Sequence, residues 1–161
     1  MKALHSREAE MVAVIGRRRV GKTFLINSTY GKYITFKISG IQDAPADEQI
    51  DNFVYQLDKA ANAPTPSKVP DNWLRTFMML VDYLKTVKTE HRKVVFFDEL
   101  PWLAADKSAG FLRGLSWFWN SWAVREDIVV VICGSVTSWM VQKVVNHTGG
   151  LHNRITRRVP S

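Results

Sequence analysis

The sequence predicts an α/β fold in which helices cover both faces of a parallel sheet. Two patterns and one bulk property point there. Continuous apolar runs of strand length, M-V-A-V-I at Met11–Ile15 and I-V-V-V-I-C at Ile128–Cys133, read as strands buried on both faces. Segments with helical spacing alternate with such runs along the chain. With 161 residues, 46% of them hydrophobic and 23% charged, the chain suits one soluble domain with a real core.

The elements follow in order. Met11–Ile15 ends at Gly16, and a helix opens over Lys22–Ser28. Tyr33–Ile38, rich in aromatic and β-branched residues, is a second strand. Asp43-Ala44-Pro45 supplies a helix start, with Asp43 the N-cap candidate. Ile50, Phe53, Val54, Leu57 and Ala61 then recur at helical spacing. Ala63–Pro70 holds three prolines and reads as an irregular connection. A further helix begins near Asp71, with Leu74, Phe77, Met78, Val81 and Leu84 on one stripe. Val94–Phe97 is a third buried strand, and Phe111–Val124 is helical. Ile128–Cys133 ends at Gly134-Ser135, Val136–Val145 is another helix, and Ile155–Val159 begins a fifth strand.

The formal charge of +7 favours an anionic partner. Part of that excess, Arg17, Arg18, Arg19 and Lys22, sits in one loop; more lies at Arg154, Arg157 and Arg158. No apolar run approaches the roughly 20 residues that cross a bilayer. The opening M-K-A-L-H-S-R-E-A-E lacks the apolar centre of a signal peptide. The lone Cys133 excludes an internal disulfide and is expected to pack as a small hydrophobe, in keeping with a reducing, cytoplasmic setting. Both ends read as cut, so a fragment of a longer protein is expected.

G-R-R-R-V-G-K-T at Gly16–Thr23 fits the phosphate-loop pattern G-x-x-x-x-G-K-[ST]. Two glycines let the backbone curl so that successive N–H groups face a β-phosphate. Lys22 would place its ammonium on the β- and γ-phosphates, and the Thr23 hydroxyl would bind Mg²⁺. The nucleotide-binding set is Gly16, Arg17, Arg18, Arg19, Val20, Gly21, Lys22, Thr23 and Phe24. Two roles stay open for the three arginines, phosphate contact or a solvated, partner-facing surface.

V-V-F-F-D-E at Val94–Glu99 is the matching second half. A buried strand would carry Asp98 to its carboxyl end, where open parallel sheets bind ligands. Asp98 would hold Mg²⁺, and Glu99 would polarise the water that attacks the γ-phosphate, a base worth about 10²–10⁴-fold in rate. Between loop and acidic pair lies a complete strand, Tyr33–Ile38, which matches proteins whose loop and acidic strands are separated by an extra strand, the ATPase branch. Ser135, at the tip of the fourth strand, is a candidate γ-phosphate sensor, or simply the cap of the next helix. Phe111, Trp117, Phe118, Trp119 and Trp122 exceed what one helical face buries, so that helix is either sandwiched in the core or a docking surface. His5, His91, His147 and His152 have no metal-ligand spacing.

Taken together, G-R-R-R-V-G-K-T, V-F-F-D-E-L-P-W and V-I-C-G-S resemble the archaeal-type ATPases of the STAND division of AAA-like P-loop proteins, over Val12 to Arg158. The resemblance implies a P-loop NTPase of the ASCE type, with Walker A and Walker B motifs and strand order 5-1-4-3-2. It implies Lys22 and Thr23 as loop lysine and Mg²⁺ ligand, Asp98 as acidic Mg²⁺ partner, Glu99 as catalytic glutamate and Ser135 as sensor. Gly150-Leu151-His152-Asn153-Arg154 keeps the leucine and arginine of the family's P-L-x-G-R motif but not its proline and inner glycine, and would make Arg154 a charge-stabilising arginine. Relatives often continue into a winged-helix or nuclease-like domain, so residues 1–161 are expected to be the ATPase core alone. ATP with Mg²⁺ as ligand, an ATP-driven conformational switch, DNA contact through such a further domain, no membrane association and a homo-oligomeric state are the corresponding expectations. A DNA-handling module is the alternative function.

Overall fold

The computed structural model describes residues 8–15, 30–105, 110–134 and 155–160, the last stretch by its backbone alone. Among these, five strands form one sheet: β1 (Glu10–Ile15), β2 (Ile34–Ser39), β3 (Lys93–Asp98), β4 (Ile128–Gly134) and β5 (Ile155–Pro160). All neighbours are parallel and the order is β2-β3-β4-β1-β5. From the opposite edge this reads 5-1-4-3-2, as the family resemblance implies.

β4 separates β1 from β3, as that order requires, and the strand expected at Tyr33–Ile38 is the edge strand β2. The reason is composition. Every residue of β4 is buried, while β2 alternates and exposes Lys37 and Ser39. A strand apolar on both faces belongs in the middle of a sheet; one with polar positions tolerates the rim.

The side-chain period of two splits the core. Met11, Ala13, Val95, Phe97, Val130 and Ile132 face one layer, together with helices α1 (Ala46–Ala61), α2 (Trp73–Thr86), the single turn α3 (Leu100–Leu103) and α4 (Gly110–Ser121). Val12, Val14, Val94, Phe96, Val129, Val131 and Cys133 face the other, and are equally buried. Cys133 therefore packs as the small hydrophobe expected. The helices predicted over Lys22–Ser28 and Val136–Val145 lie outside the described residues.

Helix starts differ from expectation in one case. Asn72 caps α2, its Oδ1 accepting from the Arg75 N–H at 2.9 Å. Asp43 does not cap α1: Pro45 occupies the N-cap, and Asp43 turns left-handed at φ 60°. Gln49 does the work from inside the first turn. Its Oε1 accepts from the Ile41 N–H at 2.9 Å, and its Nε2 donates to the Ile41 and Ala44 carbonyls at 2.7 and 3.2 Å. A longer side chain reaches across the loop where aspartate would be too short.

The buried face of α2 is Trp73, Thr76, Phe77, Leu80, Val81 and Leu84; Leu74 is exposed and Met78 half-buried. Both stripes share Phe77, Val81 and Leu84, and the larger ring of Trp73, edge-on to Phe111 with centroids 4.9 Å apart, decides between them. Ala61 is exposed at the end of α1, where Asn62 closes the helix left-handed. Along α4, Phe111, Phe118 and Trp119 are buried and Trp117 and Trp122 pack half-buried against the same core. The helix thus buries one face, with Arg113 and Asn120 exposed on the other. It ends at Ser121, and a 3-10 turn over Ala123–Arg125 follows.

Candidate functional site

Parallel pairing brings strand ends of one sense to one edge. Ile15 registers with Gly134, and Phe97 with Ile132. Ser39 registers with Asp98, so the carboxyl ends of β1, β2, β3 and β4 share that edge. β4 alone separates β1 from β3, so their axes lie about 9–10 Å apart, two strand spacings. Ile15, the residue before the glycine loop, therefore ends beside β4, one strand removed from the acidic strand.

The acidic pair closes β3. Four apolar residues, Val94–Phe97, are fully buried, and Asp98 and Glu99 follow at 6% and 7% exposure. The Asp98 carboxylate accepts from the Glu99 N–H through Oδ1 at 2.8 Å, and the Asp98 carbonyl accepts from the Gly40 N–H at 3.0 Å. Glu99 is left-handed, φ 54° and ψ 45°, a conformation that costs a non-glycine residue on the order of 1–3 kcal/mol. Its carbonyl accepts from the Trp102 and Leu103 N–H groups at 3.0 and 3.4 Å, which starts α3. Strained backbone held by surrounding bonds and sitting at a strand tip is characteristic of functional sites.

The donor chemistry fits Mg²⁺, which prefers oxygen ligands and keeps several waters. Asp98 offers a carboxylate at the strand end, and among the described residues no three of His, Cys, Asp or Glu gather into a self-contained metal site. Gly16, Arg17, Arg18, Arg19, Val20, Gly21, Lys22, Thr23, Phe24, Ser135 and Arg154 lie outside the described residues, as do His5, His147 and His152. His91 is exposed, its Nδ1 2.7 Å from the Arg92 carbonyl and its ring edge-on to Tyr33. A cavity of about 650 Å³ among the first turns of α1, α2 and α4 is lined by none of the expected site residues.

Sequence reasoning missed Gly40. It follows β2, and a Cβ there would meet the Glu99 carbonyl oxygen at 2.6 Å. A signal existed, a glycine at the end of a strand run, but only the strand order reveals which strand tip it touches.

No protein-family model and no curated protein matches the chain. Solved structures do. A Walker-type ATPase of Pyrococcus abyssi superposes with a TM-score of 0.63 at 18% identity, over 93% of this chain and 48% of that one. Drosophila ORC bound to AT-rich DNA and Cdc6 matches with a TM-score of 0.55 at 13% identity, over 98% of this chain and 26% of that one. Drosophila ORC bound to DNA matches likewise, with a TM-score of 0.55, 12% identity and coverages of 98% and 27%. This chain thus spans about half the length of the first and about a quarter of the others. Among the described residues no helix is long and apolar enough to cross a membrane. The chain has a parallel-sheet α/β fold similar to that of a Walker-type ATPase.

Proposed function

We propose that this chain binds MgATP and hydrolyses it, and that nucleotide state drives a conformational switch. The observation that supports this most is the buried Asp98–Glu99 pair at the carboxyl end of β3, one strand away from the end of β1 that leads into G-R-R-R-V-G-K-T.

In this reading the loop amides from Gly16 to Thr23 cradle the β-phosphate, with Phe24 closing the segment. Lys22 neutralises the β- and γ-oxygens, and Thr23 and Asp98 hold the ion. Bound Mg²⁺ supplies charge neutralisation on the β- and γ-phosphates. Glu99 orients a water and takes its proton as the water oxygen bonds to the γ-phosphorus and the bond to the β-bridging oxygen breaks. Ser135 reports the γ-phosphate, and Arg154 stabilises charge developing on it. Residues 1–161 would be the ATPase core of a longer protein that works in the cytoplasm and assembles with further copies.

Lys22→Ala is expected to abolish ATP binding. Glu99→Gln is expected to keep ATP and lose about 10²–10⁴-fold in turnover. Equilibrium binding of a fluorescent ATP analogue and steady-state phosphate release measure the two. Wild-type affinity in Lys22→Ala overturns the site.

A second reading makes the ATPase the regulator of an attached nucleic-acid-binding domain. It is favoured by the +7 charge and by the DNA present with the ORC structures of similar fold. Phosphate contacts release counterions, so DNA affinity would fall steeply with salt. No DNA binding by the intact protein at low salt ends this reading.

A further inference from the structure

We propose that Gly40 is a positioning residue for Glu99, holding open the space in which the glutamate keeps its left-handed backbone. This role rests on the ATPase reading above.

A methyl group on Gly40 would lie 2.6 Å from the Glu99 carbonyl oxygen, 2.9 Å from Trp102 Cβ and 3.0 Å from the Leu103 nitrogen. Two of these are backbone atoms and the third is a Cβ, so none can swing aside like the end of a flexible side chain. Gly40 itself has no left-handed φ, so space rather than conformation demands glycine. The crowded oxygen is the one that accepts from the Trp102 and Leu103 amides, and those bonds define the turn at Glu99. Pushing it away rotates the peptide that follows the Glu99 Cα, and with it the direction of the carboxylate. Gly40 also donates its N–H to the Asp98 carbonyl at 3.0 Å, so it touches both members of the acidic pair.

The strut is anchored from α1. Gln49, 2% exposed, bonds both polar backbone groups of Ile41 and the carbonyl of Ala44, fixing the loop that begins at Gly40. Asn52 donates to the Ser39 carbonyl at 3.4 Å on the other side. The tip of β2 is thereby pinned against Glu99 by a helix that contributes no residue to the acidic pair.

The test uses the intact protein as wild type, Gly40→Ala, Glu99→Gln and the double variant. Binding of the fluorescent ATP analogue, ATP turnover and circular dichroism are measured on each. Gly40→Ala is expected to keep nucleotide affinity and lose about 10²-fold in turnover, the scale of a 1 Å misplacement. In the Glu99→Gln background the same change is expected to cost nothing further, since its effect passes through Glu99. Wild-type turnover in folded Gly40→Ala, or an equal loss in both backgrounds, overturns the proposal. If Gly40→Ala does not fold, Gln49→Leu, which frees the loop without filling the space, takes its place with the same expected and overturning results. Wild type without Glu99-dependent turnover overturns the ATPase reading itself, which the Gly40 comparison alone does not.

Discussion

Arg92 ties the amino-terminal edge of the sheet together, at the opposite end from the acidic pair. It is 5% exposed and precedes β3. Its Nη2 donates to the carbonyls of Glu8 and Ile128, the latter at 3.0 Å. Its Nη1 lies 3.6 Å from Glu10 Oε2 and its Nε 2.7 Å from Asp127 Oδ1. The starts of β1, β3 and β4 thus converge on one guanidinium. The two carboxylates differ: the Glu10 side chain is 11% exposed and that of Asp127 is 42%. Arg92→Met leaves a largely buried carboxylate without this partner and is expected to cost roughly 3–5 kcal/mol. Asp127→Asn touches a solvent-screened pair and is expected to cost less than about 1 kcal/mol. Urea unfolding of both variants checks the contrast; equal losses would mean that the burial of the pair does not matter.

Among elements, the α2–α4 contact is the most tightly specified. Phe77 of α2 is fully buried, with ring centroids 5.4–6.2 Å from Phe53, Trp73, Phe97, Phe111 and Phe118. Gly114 of α4 makes room for it: a Cβ there would meet Phe77 Cδ2 at 2.5 Å. Alanine improves helix propensity by about 1 kcal/mol over glycine. Overpacking a core typically costs about 1–3 kcal/mol, and a ring hemmed in by five others has nowhere to go. Gly114→Ala is therefore expected to destabilise, and Phe77→Ala to cost about 3–5 kcal/mol; chemical denaturation measures both. The β2 edge shows a complementary device. Tyr83 of α2 donates its hydroxyl to the Thr35 carbonyl at 3.1 Å, and Asn52 of α1 donates to that of Ser39. Burial raises the Tyr83 pKa above its ordinary 10.0, so this donor keeps its proton through neutral and mildly alkaline pH. Helix side chains thus engage backbone acceptors that an edge strand otherwise offers to a neighbouring chain.

At the scale of the whole molecule, parallel pairing divides labour between the two ends of the sheet. Packing and the Arg92 latch hold the amino end, while the carboxyl end carries the strained, acidic turn. A ligand bound there contacts only the folded state. MgATP at 100 times its Kd is expected to add about 2.7 kcal/mol of stability. Thermal melting of the intact protein with and without MgATP measures this, and the shift should vanish in Lys22→Ala. A shift that survives that substitution would place the nucleotide elsewhere.

Among the described residues, the sequence by itself determined the strands, the three longer helices and the acidic pair, because these depend on local period and burial. Val94–Phe97 must be an interior strand whatever surrounds it, and Asp98-Glu99 must then stand at its end. The helix expected to begin near Asp71 likewise starts there, at Trp73. What only the tertiary structure decided are matters of distant neighbours. Trp73 rather than Leu74 turns inward, Gln49 rather than Asp43 organises the start of α1, and Gly40 abuts Glu99. Each follows from how large side chains and backbone oxygens share space once the sheet has formed. No periodicity along the chain carries that competition for volume, because it is settled between residues far apart in sequence.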